Sequence, residues 1–597
     1  MKEIVTVQVG SFANFIGAHF WNFQDEILGL AADSSSDLIY RDVHKYINMD
    51  VLYRSGETHQ GVRTYTPRLL SIDCQGSLGC ISSSGELYSG SAVQHSEITT
   101  WSGNVALHAS EPRKRNYFLQ RLHEELLEGG DVDRHLHHER EESVVEYLDD
   151  DIVDDLEETV EVWTDFSKVQ YHPRSLYEIR GLWMNPQEFD HYGGGTNLYS
   201  EELRGEEMEE RLRFFVEECD HIQGFQFIVG NSGGFSTIAA DLLENISDQY
   251  SNVPVFLYNV MNPALHTGFR NQQQIISKSI QDAIVFTKMA SYSNLIMPVG
   301  LPSLSRSKAS TFLHIDDEKP YHCSAVYAAA LHSICVPFKM EQLGPTACSA
   351  YSSGAVDVTS LVQLLTEQGR KNKLAIVDLA LPSPPVTGII LMRGIGTSYL
   401  LQYDLIVRYF LNSGEQAELP LLDFLQPLTP EIAEAEDIQS VESIAVHGAL
   451  TPGGRKASVA EVIGSVNYSY GKATTKPLFS HLSVSCCPLP IPLPFPRIFG
   501  DRVGELGLHD QCTSTKGSLD VRSIPVATRL RSSSAIWPFL DSRMRNLRRL
   551  GIDRGAPGAE LLRCWGFGKD DIGEVEEMLC AMITALDERS DHSSDSD

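Results

Sequence analysis

The chain is poor in positive charge. Among its 597 residues, 48 are Lys or Arg and 80 are Asp or Glu, which gives a formal net charge of −32. Phosphate backbones and anionic lipid headgroups attract clustered Lys and Arg, so the composition excludes a nucleic-acid partner and argues against direct binding to a membrane surface. No run approaches the roughly 20 consecutive apolar residues that cross a bilayer, and we expect no transmembrane segment.

Cysteine pairs and catalytic signatures are also lacking. The eleven cysteines include no C-x-x-C pair, which argues against a zinc site or a disulfide framework and favours a reducing compartment. The opening residues read as a strand rather than as a secretory or transit segment. There is no G-x-S-x-G, H-E-x-x-H or Walker motif, so a hydrolase or transferase of those classes has no support.

The overall composition is that of an ordinary globular protein, with 42% apolar and 21% charged residues. A Val- and Ile-rich strand at 3–9 is followed by a short loop and a helix whose stripe includes Ile16, Phe20 and Ile27. Further short apolar strands are predicted at 68–73, 225–229 and 253–258, with a helix carrying Ile238, Leu242, Leu243 and Ile246 between the last two. This alternation predicts a doubly wound parallel α/β sheet.

Two further helices and two further strands are predicted along the chain. An acidic amphipathic helix at 199–220 is expected to face inward through Leu203, Met208, Leu212, Phe215 and Cys219. Beyond about residue 300, strands at 373–380 and 387–393 alternate with loops. A helix at 571–588 precedes a polar tail that we expect to be disordered.

Residues 139–161 carry twelve Asp or Glu and one Arg, Arg140. Such like-charge density predicts an exposed, solvated insertion, with a docking segment for a basic partner as the alternative. His135, His137 and His138 precede it; we interpret them as a surface cluster rather than a metal site, because no Cys lies nearby.

Proline is concentrated in two tracts, at 382–385 and at 488–496. The second has two interpretations: a rigid crossover between elements, or a polyproline ligand for a partner.

The opening block resembles the tubulin superfamily. Its first strand, loop and helix are similar to those of tubulins at Gln8, Gly10, Asn14, Ile16-Gly17-Ala18, Phe20 and Trp21. Two later blocks, Tyr65-Thr66-Pro67-Arg68 through Asp73 and Cys219-Asp220-His221-Ile222-Gln223-Gly224, resemble tubulin segments in the same order.

Other motifs resemble the Misato family of tubulin-related proteins within that superfamily. They include Tyr53-Arg54, Gly76-Ser77-Leu78-Gly79, His172-Pro173-Arg174-Ser175, Gly234-Phe235-Ser236 and His322-Cys323-Ser324-Ala325. The resemblance implies a tubulin/FtsZ-like doubly wound sheet domain at 1–300, with the acidic insertion at about 124–166. An α+β intermediate domain would follow at 301–535, and C-terminal helices with an acidic tail at 536–597.

By that resemblance, a nucleotide site would lie at the carboxyl ends of the strands. Tubulins bind GTP there with glycine-rich loops and helix N-termini. The matching residues are Gly10, Ser11, Asn14, Asp73, Gly233, Gly234, Ser236 and Thr237.

Several positions depart from the tubulin pattern. Ser11 and Phe12 replace the family's Gln and Cys, and Gln75 replaces an acidic residue that helps hold magnesium. The glycine signature falls on 232–238, where Phe235 and Ile238 replace residues that allow close approach of phosphate. We expect Phe235 to point into the pocket or pack over the sheet edge. Gly193-Gly194-Gly195 matches another phosphate loop or is a flexible turn.

The hydrolysis segment of polymerising tubulins carries two acidic positions. Its best match is 287–297, where Thr287 and Ala290 stand at those positions and neither side chain acts as a general base near neutral pH. We therefore expect no catalytic residue and no metal site.

The resemblance implies a role in mitochondrial distribution, morphology and mitochondrial DNA inheritance. It implies a cytoplasmic protein with peripheral association with the mitochondrial outer membrane, and chaperonin, tubulin or outer-membrane proteins as partners. We expect a non-catalytic protein with no cofactor. The alternative is a GTP-binding, filament-forming GTPase that holds GTP or GDP.

Overall fold

The computed structural model describes residues 2–57, 63–81, 115–129, 148–183, 189, 192–195, 198–199, 203–231, 233–265, 271–341, 349–369, 371–386, 421–434, 437–508 and 520–586. The three clustered histidines, residues 139–147 of the acidic segment, the predicted strand at 387–393 and the polar tail lie outside these ranges.

The described ranges contain eighteen strands and fifteen α-helices. The strands are β1 (Glu3–Val9), β2 (Tyr53–Glu57), β3 (Arg63–Pro67), β4 (Leu69–Gln75), β5 (Leu176–Trp183), β6 (Ile222–Gly230), β7 (Val255–Val260), β8 (Leu295–Val299), β9 (Ser352–Ser353), β10 (Ile376–Ala380), β11 (Gln426–Pro427), β12 (Val441–His447), β13 (Phe479–Ser485), β14 (Leu489–Pro490), β15 (Val503–Gly504), β16 (Gly507–Leu508), β17 (Ser523–Ile524) and β18 (Val526–Ser532). The helices are α1 (Ser11–Ala32), α2 (Leu38–Arg41), α3 (Tyr117–Gly129), α4 (Asp149–Thr159), α5 (Tyr192–Gly195), α6 (Arg204–Glu217), α7 (Gly233–Gln249), α8 (Gln272–Tyr292), α9 (Pro320–Lys339), α10 (Val358–Glu367), α11 (Leu421–Phe424), α12 (Val459–Lys472), α13 (Trp537–Leu547), α14 (Ala559–Cys564) and α15 (Lys569–Leu586).

A six-stranded parallel sheet forms the first half of the fold. Its order is β5-β4-β1-β6-β7-β8, and every neighbouring pair is parallel. In the register of the central strands, Val7 lies between Leu70 and Phe227. Because helices cover both faces, β1, β6 and β7 are almost wholly buried, which explains their near-continuous apolar sequences. The predicted doubly wound α/β architecture is confirmed.

The layers around this sheet are set by two apolar clusters. One cluster joins one face of the sheet to α6, α7, α8, α13 and α15, and the other joins the opposite face to α1 and α9. Helix α9 also packs against the second sheet, so all its residues after Pro320 are buried. A helix between two sheets has no polar face, because every side of it contacts protein.

The second sheet is mixed, with the order β11-β10-β18-β12-β13-β9. Strands β12 and β13 are parallel, whereas the other neighbouring pairs are antiparallel. Helix α12 covers the face that points away from α9, through a third apolar cluster that includes Val462 and Val466. Helices α13, α14 and α15 then return to the first sheet.

The bounds of several sequence-predicted elements are shifted by a few residues. Strand β7 begins at Val255, two residues later than predicted, and α6 begins at Arg204. Leu203 precedes this helix in the left-handed region (φ 62) and is 62% exposed, so the expectation that it faces inward is wrong. Met208, Leu212 and Phe215 are buried as predicted.

The described part of the acidic segment is a packed helix rather than a solvated loop. In α4, Ile152, Val153 and Leu156 are buried, whereas Asp149, Asp150, Asp151, Asp154 and Glu158 are exposed. An amphipathic spacing of three apolar residues fixes the helix to the body despite its charge. The expectation of a wholly exposed insertion is therefore wrong for residues 149–159.

Glu157 ties this helix to two other parts of the chain. Its carboxylate is 2.9 Å from Lys319 Nζ and 2.7 Å from His322 Nε2, and it accepts a hydrogen bond from the Arg497 N–H at 2.9 Å. Burial opposes ionisation, but the bonds to His322, Lys319 and Arg497 lower the pKa of Glu157 from 4.5 to about 2. The carboxylate therefore stabilises the folded chain when it is ionised.

Replacing Glu157 by glutamine is expected to lower the free energy of unfolding by about 1–3 kcal/mol at neutral pH, because Lys319 loses its buried counter-charge. Because the pKa is depressed, the contribution is complete above 4.5 and is lost as the pH falls towards 2. Urea unfolding at several pH values measures the difference. Glu158→Gln, an exposed neighbour on α4, is the matched control, and an equal loss in both variants would contradict this role.

The longer proline tract is part of the fold. Residues 488–490, 492 and 494–496 are buried, and β14 pairs Leu489 with Ile524 of β17. A polyproline ligand must present its side chains to a partner, so the structure favours the crossover interpretation over the ligand interpretation.

Eight cysteines of the described ranges carry free thiols: Cys74, Cys219, Cys323, Cys335, Cys486, Cys487, Cys564 and Cys580. Across the same ranges, no helix combines the length and hydrophobicity needed to cross a bilayer.

Candidate functional site

Three strands and two helices meet at one edge of the first sheet. Strands β1, β4 and β6 end there at their carboxyl termini, and α1 and α7 begin there. Gly10 makes the turn from β1 into α1 with φ +98, and its N–H donates to the Ile72 carbonyl at 3.0 Å. This is the edge at which open α/β sheets bind ligands.

A buried polar group crosses from α1 to β4 at this edge. Asn14 Nδ2 donates to Asp73 Oδ2 at 3.0 Å, and its Oδ1 accepts from Ser71 Oγ at 2.9 Å. The other carboxylate oxygen of Asp73 accepts the Cys74 N–H at 2.8 Å. Burial raises the pKa of Asp73 to about 6, although these hydrogen bonds oppose the shift. Both Asp73 oxygens are therefore already engaged within the chain.

The substituted positions nearby also have partners in the fold. Phe12 is buried edge-on against Tyr327, with ring centroids 6.1 Å apart, whereas Ser11 is exposed. Gln75 Oε1 accepts the Gly181 N–H at 3.1 Å, which fixes it to β5. Glu178 of the same strand accepts the Gly76 N–H at 2.6 Å.

Helix α7 begins next to Gly10. Gly233 has φ +60, and its carbonyl accepts hydrogen bonds from Ser236 Oγ at 2.7 Å and Gln281 Nε2 at 2.9 Å. The Thr237 hydroxyl is buried and has no hydrogen-bond partner among the described residues. All eight sequence-predicted site residues are thus brought to the two helix starts and to the end of β4.

Phe235 covers the approach to Gly10. A Cβ added at Gly10 would lie 3.2–3.3 Å from three carbon atoms of the Phe235 side chain. The ring also packs edge-on against Phe189, with centroids 4.7 Å apart. The prediction that Phe235 packs over the sheet edge is confirmed. Ile238, one turn later, is fully buried in the apolar cluster beneath α7.

A second segment covers the start of α7. The Gly234 N–H donates to the Phe189 carbonyl at 2.8 Å, and a Cβ at Gly234 would overlap the Phe189 ring. Gly195 lies directly on the Gly234 backbone, which leaves no room for a side chain at either position. Tyr192 in turn packs against Trp565 and Phe567 with tilted rings, whose centroids are each 5.3 Å away.

The fold therefore engages a backbone N–H group, that of Gly234, which a bound phosphate would need as a hydrogen-bond donor. The N–H groups of the first helical turn are free unless something caps them, and they form the anion site of a helix start. Here the Gly234 N–H is bonded to a backbone carbonyl. The Phe235 ring covers Gly10, and the Phe189 ring covers Gly234. Within the described ranges, no group of three or more His, Cys, Asp or Glu could hold a metal ion.

Thr287 and Ala290 lie elsewhere, on α8. Both side chains are buried, and Thr287 Oγ1 donates to the Ala283 carbonyl at 2.6 Å. A hydrolysis segment that acts on a neighbouring subunit must be exposed. The interpretation that these two positions belong to such a segment is therefore wrong, and they say nothing about hydrolysis.

Sequence reasoning missed Phe189 and Gln281. Their contacts with the start of α7 join segments 45 or more residues apart, which no local pattern indicates. The Gly193–Gly195 run carried a signal, because closely spaced glycines indicate a close backbone approach. The structure places Gly195 against the Gly234 backbone, so at this position the run serves helix packing.

Comparison with protein families gives the same superfamily. Residues 154–340 match a family model described as a tubulin domain. Residues 2–124 match the model of the Misato Segment II tubulin-like domain. The chain belongs to the Misato family.

Relatives from animals and a fungus match over long stretches. Protein misato homolog 1 of Homo sapiens is 28% identical over 601 aligned positions, covering 97% of this chain and 96% of the relative. Protein misato of Drosophila melanogaster is 29% identical and covers 57% of this chain and 60% of its own. Protein DML1 of Gibberella zeae is 26% identical, with 60% and 64% covered.

Proposed function

We propose that this Misato-family protein is non-catalytic and acts through protein partners in mitochondrial distribution, morphology and mitochondrial DNA inheritance. The proposal includes no cofactor: the tubulin-like scaffold is retained, and the edge that holds nucleotide in tubulins serves internal packing.

One observation carries the non-catalytic part. The Gly234 N–H, the donor that opens α7, is bonded to the Phe189 carbonyl at 2.8 Å. Phe235 and Phe189 then cover Gly10 and Gly234 with apolar surface. Phosphate oxygens need donors and an open backbone surface, and burying a charged group against apolar rings is costly. Binding of a nucleotide would first have to displace this packing.

The mitochondrial part rests on the resemblance to the Misato family. We propose a cytoplasmic protein that associates peripherally with the mitochondrial outer membrane through proteins there, with chaperonin or tubulin among its partners. Protein-mediated attachment suits a chain of net charge −32, which anionic lipid headgroups repel.

GTP turnover separates this proposal from the alternative, a filament-forming GTPase. We expect no turnover above the buffer rate at any protein concentration, because the start of α7 is occupied. Phosphate release is measured over a concentration series, with polymerising tubulin as the positive control. A rate per molecule that rises with protein concentration, as in self-activating filaments, would contradict the proposal.

A further inference from the structure

The end of α9 lies where several parts of the fold meet. The helix packs against α1 of the first sheet and against β12 and β18 of the second sheet. The carbonyl of Lys339, its last residue, accepts the Asn48 N–H at 2.7 Å. The sulfur of the next residue, Met340, accepts a hydrogen bond from Ser483 Oγ of β13 at 3.4 Å. We call this meeting point the sheet joint and define it as Gln24, Asn48, Lys339, Met340 and Ser483.

Lys339 places a buried amino group at the sheet joint. The residue is 1% exposed, and its Nζ donates to Gln24 Oε1 of α1 at 2.5 Å. Because a lysine ammonium only donates, the amide oxygen of Gln24 must face it, and the amide nitrogen then donates to His332 Nδ1 at 2.7 Å. The amide is neutral, and so is an imidazole that accepts at Nδ1. The ammonium therefore has a hydrogen-bond acceptor but no counter-charge in this chain of contacts, and burying such a charge is costly.

The acidic residues next in sequence to the sheet joint do not supply that counter-charge. Asp25 and Glu26, the following residues of α1, lie 3.5 and 2.5 Å from Lys168 Nζ. Glu341, two residues beyond Lys339, is exposed to solvent. Among the residues that the structure describes, no carboxylate forms an ion pair with Lys339. Its ammonium is therefore an isolated buried cation.

The other titratable groups that act on Lys339 keep one protonation state over a wide pH range. Burial lowers the pKa of His447 on β12 to about 4 and holds that of His332 well below its ordinary 6.5. Burial also raises the pKa of the Cys335 and Cys487 thiols to about 12. In contrast, burial lowers the pKa of Lys339 from 10.5 to about 8. Within this cluster, Lys339 is thus the group that changes its charge between those limits.

We propose that the sheet joint is a pH-sensitive switch. The protonated amino group of Lys339 weakens the packing of α1 and α9 against the second sheet, and loss of its proton to solvent tightens that packing. The inference is independent of the nucleotide question and concerns how firmly the two sheets are held together.

The direction of the pH dependence follows from the two states of Lys339. The unfolded chain holds this proton up to pH 10.5, whereas the folded chain releases it at about 8. Because the unfolded state binds more protons between these values, the stability contributed by this position rises with pH across that interval. Below about 8 the cost of burying the charge is complete, and above 10.5 it is absent.

Urea unfolding of the whole protein tests the switch. Lys339→Met removes the charge, and we expect it to be more stable than the wild type at about pH 7. The ratio of its folding equilibrium constant to that of the wild type should then fall roughly thirtyfold between about pH 7 and about pH 9.5. Lys476→Met, at an exposed lysine, is the matched control, and its ratio should stay constant. In hydrogen exchange at about pH 7, segments 46–48 and 337–341 should exchange more slowly in Lys339→Met than in the wild type.

A ratio that does not change with pH, or no gain in stability at about pH 7, would overturn the inference. Unchanged exchange of both segments alongside a gain in stability would place the effect outside the sheet joint, which also overturns it. If Lys339→Met does not fold, Gln24→Leu supplies the measurement, because it removes the oxygen that accepts from the ammonium. Its loss of stability should be larger at about pH 7 than at about pH 9.5, and an equal loss at both would overturn the switch.

Discussion

Replacing Phe235 by threonine and Ile238 by glycine together is expected to lower the free energy of unfolding by roughly 2–5 kcal/mol. Ile238 is fully buried, and Phe235 packs on Gly10 and Phe189. The loss combines the removed apolar contacts with the cost of glycine inside α7, about 1 kcal/mol. Chemical denaturation measures it.

The same double variant is expected not to gain tight GTP binding. The Gly234 N–H stays bonded to Phe189, and Phe12 and Gln75 keep their partners in the fold. Phe479→Thr with Ile275→Gly makes the same chemical changes at side chains that are 45% and 50% exposed, and should lose less stability. Calorimetry that showed micromolar GTP binding at an undiminished melting temperature would mean that the site is intact and merely covered.

Replacing Asp378 by alanine is expected to cost about 3–5 kcal/mol, because it leaves buried guanidinium groups without their counter-charge. Asp378 lies fully buried on β10 and accepts from Arg529 Nε at 2.7 Å and Arg531 Nε at 2.8 Å. Glu442 of β12 lies 3.5 Å from Arg529 Nη1 and is too distant to neutralise both arginines.

The pH dependence of this variant follows from the direction of the shift. Burial opposes ionisation, but Arg531 and Arg529 hold the pKa of Asp378 below its ordinary 3.8. The carboxylate therefore stabilises the fold fully above that value, and the stabilisation is lost as the pH falls below it. Thermal unfolding of wild type and Asp378→Ala should converge in acid. Asp501→Ala, at an exposed position, is the control, and a difference independent of pH would contradict the ion-pair explanation.

The strands and helices of the first sheet could be predicted because their apolar sequence patterns match their burial in the fold. Strand β1 is a run of apolar and β-branched residues ended by Gly10, and α7 shows a helical apolar stripe. Two helices were not predicted.

Helix α9 is buried between two sheets and lacks the polar face by which an amphipathic helix is recognised. Helix α4 has only three apolar residues among many acidic ones, although those three have helical spacing.

The candidate site was predictable as a set of positions but not as an arrangement. Gly10, Asp73 and Gly234 come together because the carboxyl ends of parallel strands share one edge. The carbonyl of Phe189 reaches Gly234 through a long-range contact that no periodicity encodes. The assignment of Thr287 and Ala290 to a hydrolysis segment is wrong because a short sequence match does not contain the burial of α8, which is set by long-range packing.

The most direct test is the nucleotide content of the purified, natively folded protein. Mass spectrometry of the material released by denaturation should detect no stoichiometric GTP or GDP, because Phe235, Phe189 and Gly195 occupy the start of α7. A guanine nucleotide recovered at one equivalent per chain would contradict the account, since this packing and a bound phosphate cannot share the same helix start.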